Sequence, residues 1–342
     1  MNVEIEQLIA EVAGRYPDRR FHLFSVQVDS ADGDAAKLSG RVLEQENLDA
    51  LREALAARFP GLRVDDAAVR TLRRDPPTLM TVATNLTDLH IEPSFLSELL
   101  TQVAYGVTLE ILEGKDKWVF VRQNDGYLGW AYEPYLVNGA AAPSPTHIVA
   151  TPILTVHRDN DLTGSPVSKL LGGTVVKLVD EDNKLARVEF AGGRLASGWV
   201  DAMELRPLDQ VPIPAPLARD WMIADARQFT GVYYLWGGCS AFGIDCSGLA
   251  QLVHRLSGYS IPRDVDQQFA AGRPVEGDFQ PGDLLFFSGE HNRRKISHVG
   301  ISLGGWKMIH SSRFHNGVYE DDVQQRPHLR DTFAGARTFL RP

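Results

Sequence analysis

Three proline clusters interrupt this chain, and neither a helix nor the interior of a sheet can run through any of them. They are Asp75-Pro76-Pro77, Ala140-Ala141-Ala142-Pro143-Ser144-Pro145 and Val211-Pro212-Ile213-Pro214-Ala215-Pro216. Each sets fixed φ angles and missing N–H donors close together. The alternate prolines of the third make it a stiff spacer. The clusters predict four consecutive domains, 1–77, 78–140, 141–210 and 211–342. With 342 residues, 44% of them hydrophobic and 23% charged, the chain has enough apolar material for several separate cores.

The first piece reads as a small α/β domain. Ile5, Leu8, Ile9 and Val12 give one helix face, and Leu48, Leu51, Leu55 and Phe59 a second. Strands are expected over 21–28, 37–42 and 62–64. No nucleophile or ligand cluster falls within it. From 78 to 210 the pattern changes to short strands and turns. Two successive segments end in a Gly-Trp pair, Gly129-Trp130 and Gly198-Trp199. Strands at close spacing with the scheme repeated predict two small β-barrels.

The chemistry lies in the last piece. Leu249, Leu252, Val253 and Leu256 follow the i, i+3, i+4, i+7 spacing of a buried helix face, and Cys246 falls three residues earlier, in the first turn of that face. Unpartnered N–H groups and the positive end of the helix dipole would lower the pKa of a thiol there and make it a nucleophile. A small buried hydrophobe is the equal alternative. Downstream, 296–303 and 306–311 flank Gly304-Gly305 and read as a β-hairpin. A two-residue turn would put His298 and His310 on opposite faces. A three-residue loop over 303–305, with a glycine in the left-handed region, would pair them directly. A cysteine at a helix start, a histidine to take its proton and a second polar group to orient that ring compose a thiol hydrolase. His254 is about 12 Å along the helix from Cys246 and is too far to be the base. His291 and His315 are expected in solvated loops.

Six motifs in order carry a resemblance. They are Tyr234-Leu235-Trp236-Gly237-Gly238, Asp245-Cys246-Ser247-Gly248-Leu249, Ile261-Pro262-Arg263-Asp264, Pro281-Gly282-Asp283-Leu284-Leu285-Phe286-Phe287, His298-Val299-Gly300-Ile301 and Ile309-His310-Ser311. Residues 215–342 resemble the catalytic domain of the NlpC/P60 cell-wall peptidases, and the two barrels resemble bacterial SH3 domains. The resemblance implies an α+β multidomain fold: a small N-terminal α/β domain, two SH3-like β-barrels and a C-terminal papain-like NlpC/P60 domain. It assigns Cys246 as nucleophile, His298 as base and His310 as the group orienting that base. No metal or other cofactor is implied. Cys239 is a second thiol that the motif does not call for.

The three-part architecture resembles the family's γ-D-glutamyl-L-diamino acid endopeptidases, in which the first barrel builds part of the site. Glu98, Tyr127 and Asp245 then correspond to the groups binding the free amine of an L-Ala-γ-D-Glu stem peptide, with Tyr132 replacing Tyr127 if that ring points inward. Ser247, Arg263 and Asp264 join the expected substrate site, although Arg263 and Asp264 could equally pair with each other. The partners so implied are peptidoglycan stem peptides, or muropeptides, with L-Lys or diaminopimelate at the third position.

Charge and composition narrow the classes. A net charge of −9 argues against nucleic acid and anionic membrane as partners. No apolar run reaches 18 residues. Glu4, Glu6 and Glu11 surround the first apolar residues in place of a leader pattern, so the expectation is a cytoplasmic monomer. Two cysteines make no disulfide framework. A zinc site of Cys239, Cys246, His298 and His310 fits by residue type but not by cysteine spacing. A wall hydrolase tethered by its SH3 domains, a catalytically silent wall-binding protein and an acyl-transferring relative remain as alternatives.

Overall fold

The amphipathic helices expected near the N-terminus span Asn2–Ala13 and Gln45–Arg58, and their apolar faces bury Ile5, Leu8, Ile9, Val12, Leu48, Leu51 and Leu55. They cover a three-stranded sheet in the order Phe24–Asp32, Ala35–Val42, Arg63–Thr71. The first pair is antiparallel and the second parallel, so Gln45–Arg58 is the crossover that a parallel pair requires. The outer strands run further than the apolar pattern indicated. Their added residues include the exposed Asp29 and Asp65, and Asp66, which pairs with Arg52 of the covering helix; periodicity flags none of these polar positions. The computed structural model describes residues 1–139, 144–160, 162–182, 184–190, 197–289 and 295–340. Most of the second proline cluster, and His291, lie outside the described residues.

Two antiparallel β-sheet domains follow. Seven short strands between Thr78 and Asn138 form the first, and seven between His147 and Pro207 the second. In the second, Val149, Leu154, Val156, Leu170, Ala186, Val188 and Val200 are buried together, and Tyr105 stands edge-on to Phe190 at 5.4 Å. The chain divides into two compact units. One comprises 1–80, 90–97 and 108–134, and the other 81–89, 98–107 and 135–342. Strand Leu99–Ala104 of the first sheet domain therefore belongs to the same unit as the C-terminal domain.

That domain is built on a six-stranded antiparallel sheet in the order Arg273–Val275, Phe333–Thr338, Leu284–Ser288, Ile296–Gly304, Lys307–Ser312, Gly317–Asp322. The helix Cys246–Leu256 lays Leu249, Leu252, Val253 and Leu256 into one core with Val299, Ile301, Ile309 and Val318. The alternating residues Leu285, Phe287 and Met308 bury against a second cluster on the other side. At the C-terminal end of that helix, Arg206 of the second barrel is bidentate to Asp225 at 3.0 and 3.1 Å and donates to the Leu256 carbonyl. Its guanidinium also stacks on Trp221.

Candidate active site

Asp245 caps the helix Cys246–Leu256 by accepting from the Gly248 N–H at 2.7 Å. This starts the helix at Cys246 and leaves the first N–H groups without carbonyl partners. Ahead of it, Gly237 turns the chain at φ +77°, and a β-carbon there would stand 2.5 Å from the Leu99 carbonyl. Only a glycine lets the loop lie this close to strand Leu99–Ala104.

The histidine strands meet this helix where their ladder opens. Ile296–Gly304 and Lys307–Ser312 pair at Ile301↔Ile309 and Ser302↔Met308. Further from the turn, the Val299 N–H instead serves the Cys246 sulfur, and the Ser311 hydroxyl donates to the Ile244 carbonyl at 2.6 Å. The loop ahead of the helix thus contacts both strands, with Cys246 beside the residue that follows His298.

The loop joining these strands differs from the three-residue one expected. Two residues, Gly305 and Trp306, turn the chain, and a bulge at Leu303 precedes them. The turn alone would separate the histidines onto opposite faces; the extra residue of the bulge restores their parity. Continuing the register sets Gly300, not His298, across from His310. The two rings therefore meet diagonally, with Nε2 of His298 2.7 Å from Nδ1 of His310. Gly300 makes the diagonal possible. A β-carbon there would lie 2.4 Å from the Met308 sulfur and 3.3 Å from Cβ of His310.

Beyond His310 the hydrogen bonds continue through residues that sequence reading missed. His310 Nε2 is 3.1 Å from Oδ2 of Asp321, His315 Nε2 is 2.7 Å from the same oxygen, and Arg326 Nε donates to Oδ1 at 2.7 Å. His315 is thus a partner of Asp321, a correction to its reading as a solvated loop residue. The pairing of His310 with Tyr319 puts Asp321 one diagonal step away on the next strand. An acid at that parity beyond Asn316-Gly317, a recognisable turn signal, could have revealed it.

The electrostatics also depart from expectation. Burial, and then the adjacent Asp245 carboxylate, push the Cys246 thiol up to about 12, outweighing the N–H groups of Val299 and Ser247 and the charge of Arg263. The helix start does not give a depressed pKa here, because Cys246 is buried, only 8% exposed. Burial, then His310 and His328, hold His298 well below the usual imidazole range. Burial likewise lowers His310 against the pull of Asp321. At neutral pH the resting pair is therefore a thiol and a neutral imidazole. Burial and the nearby Cys246 and Asp245 raise Tyr234 to about 12, so its hydroxyl keeps its proton.

Several residues assigned to substrate are turned inward. Asp245 accepts from Gly237, Gly248, Ser247 and both terminal nitrogens of Arg263, which fills a carboxylate. Arg263 pairs with Asp245 and also donates to Ser247 and to Thr101 of strand Leu99–Ala104. Ser247 and Arg263 thus both hydrogen-bond to the residue that caps the helix. Tyr127 is 2% exposed, edge-on to Phe21, as a core ring is. Its substitute Tyr132 is half-buried against Phe95 and Trp118. Asp264 is half-buried at the N-cap of Val265–Ala271. Glu98 alone of the set is exposed, and its carboxylate accepts from the Trp236 indole at 2.9 Å. Cys239 is half-buried, with its sulfur 3.4 Å from the Thr101 hydroxyl. Gln268 ties the Ser247 carbonyl to that of Pro262.

Among the described residues, His310, His315 and Asp321 form the one group with metal-ligand spacing, their ligand atoms within 4.8 Å of one another. Neither cysteine belongs to it, and its short contacts are those of N–H donors to a carboxylate. No helix among the described residues is long and apolar enough to cross a membrane.

A helix-borne cysteine beside a histidine that a second histidine holds in place, on an antiparallel sheet, defines the papain-like thiol hydrolases as a class. Comparison with known proteins places the chain within that class. The NlpC/P60 family matches residues 231–337, and the bacterial dipeptidyl-peptidase SH3 domain matches residues 89–132. A γ-D-glutamyl-L-lysine dipeptidyl-peptidase of Bacillus cereus is 30% identical over 262 residues, covering 71% of this chain and 76% of that protein. Its Bacillus subtilis namesake is 33% identical over 226 residues, 62% and 72% of the two chains. The crystal structure of a NlpC/P60 family protein from Bacillus cereus shares the fold, with a TM-score of 0.67 at 24% identity over 77% of this chain and all of that one. The chain belongs to the NlpC/P60 family and is a cysteine peptidase.

Proposed function

We propose that this enzyme hydrolyses the bond between γ-D-glutamate and the following L-diamino acid, L-lysine or diaminopimelate, in peptidoglycan stem peptides whose N-terminal L-alanine amine is free. The observation that carries this reading is Glu98. It is an exposed carboxylate, held by the Trp236 indole on the loop that leads into the nucleophile. A fixed carboxylate at that position suits a substrate ammonium, bound by charge-assisted hydrogen bonds. Asp245 is already paired with Arg263 and Tyr127 is buried, so Glu98 is the acid of this group that is open to a substrate amine.

In this mechanism His298 takes the Cys246 proton as the sulfur attacks the γ-carbonyl carbon, which avoids a resting thiolate in a site that disfavours one. The Cys246 N–H, with no carbonyl four residues back, and the neutral Tyr234 hydroxyl donate to the oxyanion. His298 then protonates the departing amine, leaving a thioester that water hydrolyses. A free-amine requirement excludes stems still attached to sugar, which fits recycling of released peptides in the cytoplasm. Cys246, His298, His310 and Glu98 all belong to one chain, so the proposed chemistry calls on no second copy.

The test compares L-Ala-γ-D-Glu-L-Lys, its N-acetyl form and intact sacculi, with wild type and Glu98→Gln. The free peptide should be the preferred substrate, and Glu98→Gln should raise KM for it alone. Equal turnover of free and blocked substrates would leave a general wall hydrolase and remove the recycling role.

A further inference from the structure

We propose that Asp321 is a positioning residue that sets the tautomers of both histidines and so leaves Nδ1 of His298 bare to receive the Cys246 proton. This rests on the roles given above to Cys246, His298 and His310.

An ionised carboxylate can only accept hydrogen bonds. Asp321 is held in that form. Burial acts to raise its pKa, but hydrogen bonds from His310, Arg326 and His315 outweigh it and hold the carboxyl well below the usual range. With Oδ2 3.1 Å from His310 Nε2, the proton of that ring must sit on Nε2; the other tautomer would set two lone pairs against each other in a buried site. Nδ1 of His310 is then an acceptor, and the 2.7 Å contact to His298 is a hydrogen bond only if His298 carries its proton on Nε2. One tautomer remains for His298, with an unprotonated Nδ1. Arg326 and His315 fix the carboxylate from its other sides, at 2.7 Å each. When Nδ1 takes the thiol proton, the imidazolium keeps its Nε2–H bond to His310, and the Asp321 charge lies one ring away to stabilise it. A neutral His310 alone could face either way. The acid makes the direction unique.

The tautomers are read directly by two-bond ¹⁵N–¹H couplings in ring-labelled wild-type enzyme at pH 8. Both rings should report Nε2–H; an Nδ1–H tautomer at His298 would overturn the proposal without recourse to any variant. Kinetics supply a second reading. Asp321→Asn should lower kcat at least about tenfold with KM little changed, because its amide NH2 can donate to His310 and reverse both rings. In a His310→Asn background the amide carbonyl accepts from His298 with no tautomer to set, so Asp321→Asn should then cost less than about twofold. An equal loss in both backgrounds assigns Asp321 a merely structural role and overturns the proposal. Activity surviving Cys246→Ala would instead remove the nucleophile assignment, while the couplings would still report on Asp321.

Discussion

Arg263 and Asp245 form a buried bidentate pair, 2.7 and 3.1 Å between guanidinium and carboxylate, at the residue that precedes Cys246. Asp245 caps the Cys246 helix, and Arg263 reaches Thr101 on a strand of the first sheet domain. One ion pair thus couples the helix start at Cys246 to the neighbouring strand. Arg263→Met leaves the carboxylate buried without its partner and should destabilise by about 3–5 kcal/mol. Arg263→Lys keeps the charge but loses the fork and should also be destabilising, though less so. Urea midpoints at unchanged m-value measure both. A Lys variant as stable as wild type would show that charge alone suffices.

The electrostatics of Cys246 set its reactivity. With the thiol pushed up to about 12 and Cys239 more exposed, iodoacetamide at pH 6 should label Cys239 first. Labelling of Cys246 should keep rising through pH 9. Cys246→Ala should abolish turnover. Mass spectrometry of tryptic peptides follows the two sites separately, and a Cys246 rate that levels off below pH 7 would indicate a preformed thiolate.

What the sequence made legible follows from the range of each interaction. The helix carrying Cys246 was readable because its four apolar residues lie within eight positions and all face one core. The His298–His310 relation was readable as parity, but its register was not, since a bulge at Leu303 costs one residue and no composition signal marks it. Arg263 was visible as a motif residue, whereas its partner was chosen by geometry across eighteen positions. Asp321 escaped because its role depends on the register of a second hairpin. For Tyr127 the sequence left both a substrate group and an inward core ring open, and the direction of the ring was set by packing against Phe21.

His254 gives the protein an acid liability independent of catalysis. It is completely buried, Nδ1 bonds the Ala250 carbonyl, and burial lowers its pKa from 6.5 to about 4. The unfolded chain therefore binds a proton near pH 6.5 that the native state refuses until about pH 4. Stability is full above the unfolded value and falls across that window, by about 3 kcal/mol from this group. His254→Met should remove that share of the slope between pH 7 and pH 4. Parallel stability curves for the two proteins would refute it.

Gly300 gives the sharpest test of the diagonal between the histidines. In Gly300→Ala the new methyl meets the Met308 sulfur at 2.4 Å and presses on Cβ of His310 at 3.3 Å. The strand is extended there, so the penalty is steric rather than conformational, about 1–3 kcal/mol as in other overpacked cores. The larger effect should fall on rate, because relief requires Met308 or His310 to move. A shift of about 1 Å in the group orienting His298 costs on the order of 10²-fold in kcat. Shortening Met308 to Ala in the same protein opens the space and should recover stability more fully than rate, since His310 still faces the methyl. If Gly300→Ala folds normally and keeps wild-type kcat, the glycine serves something other than this approach, and His298 reaches His310 by a route with room to spare.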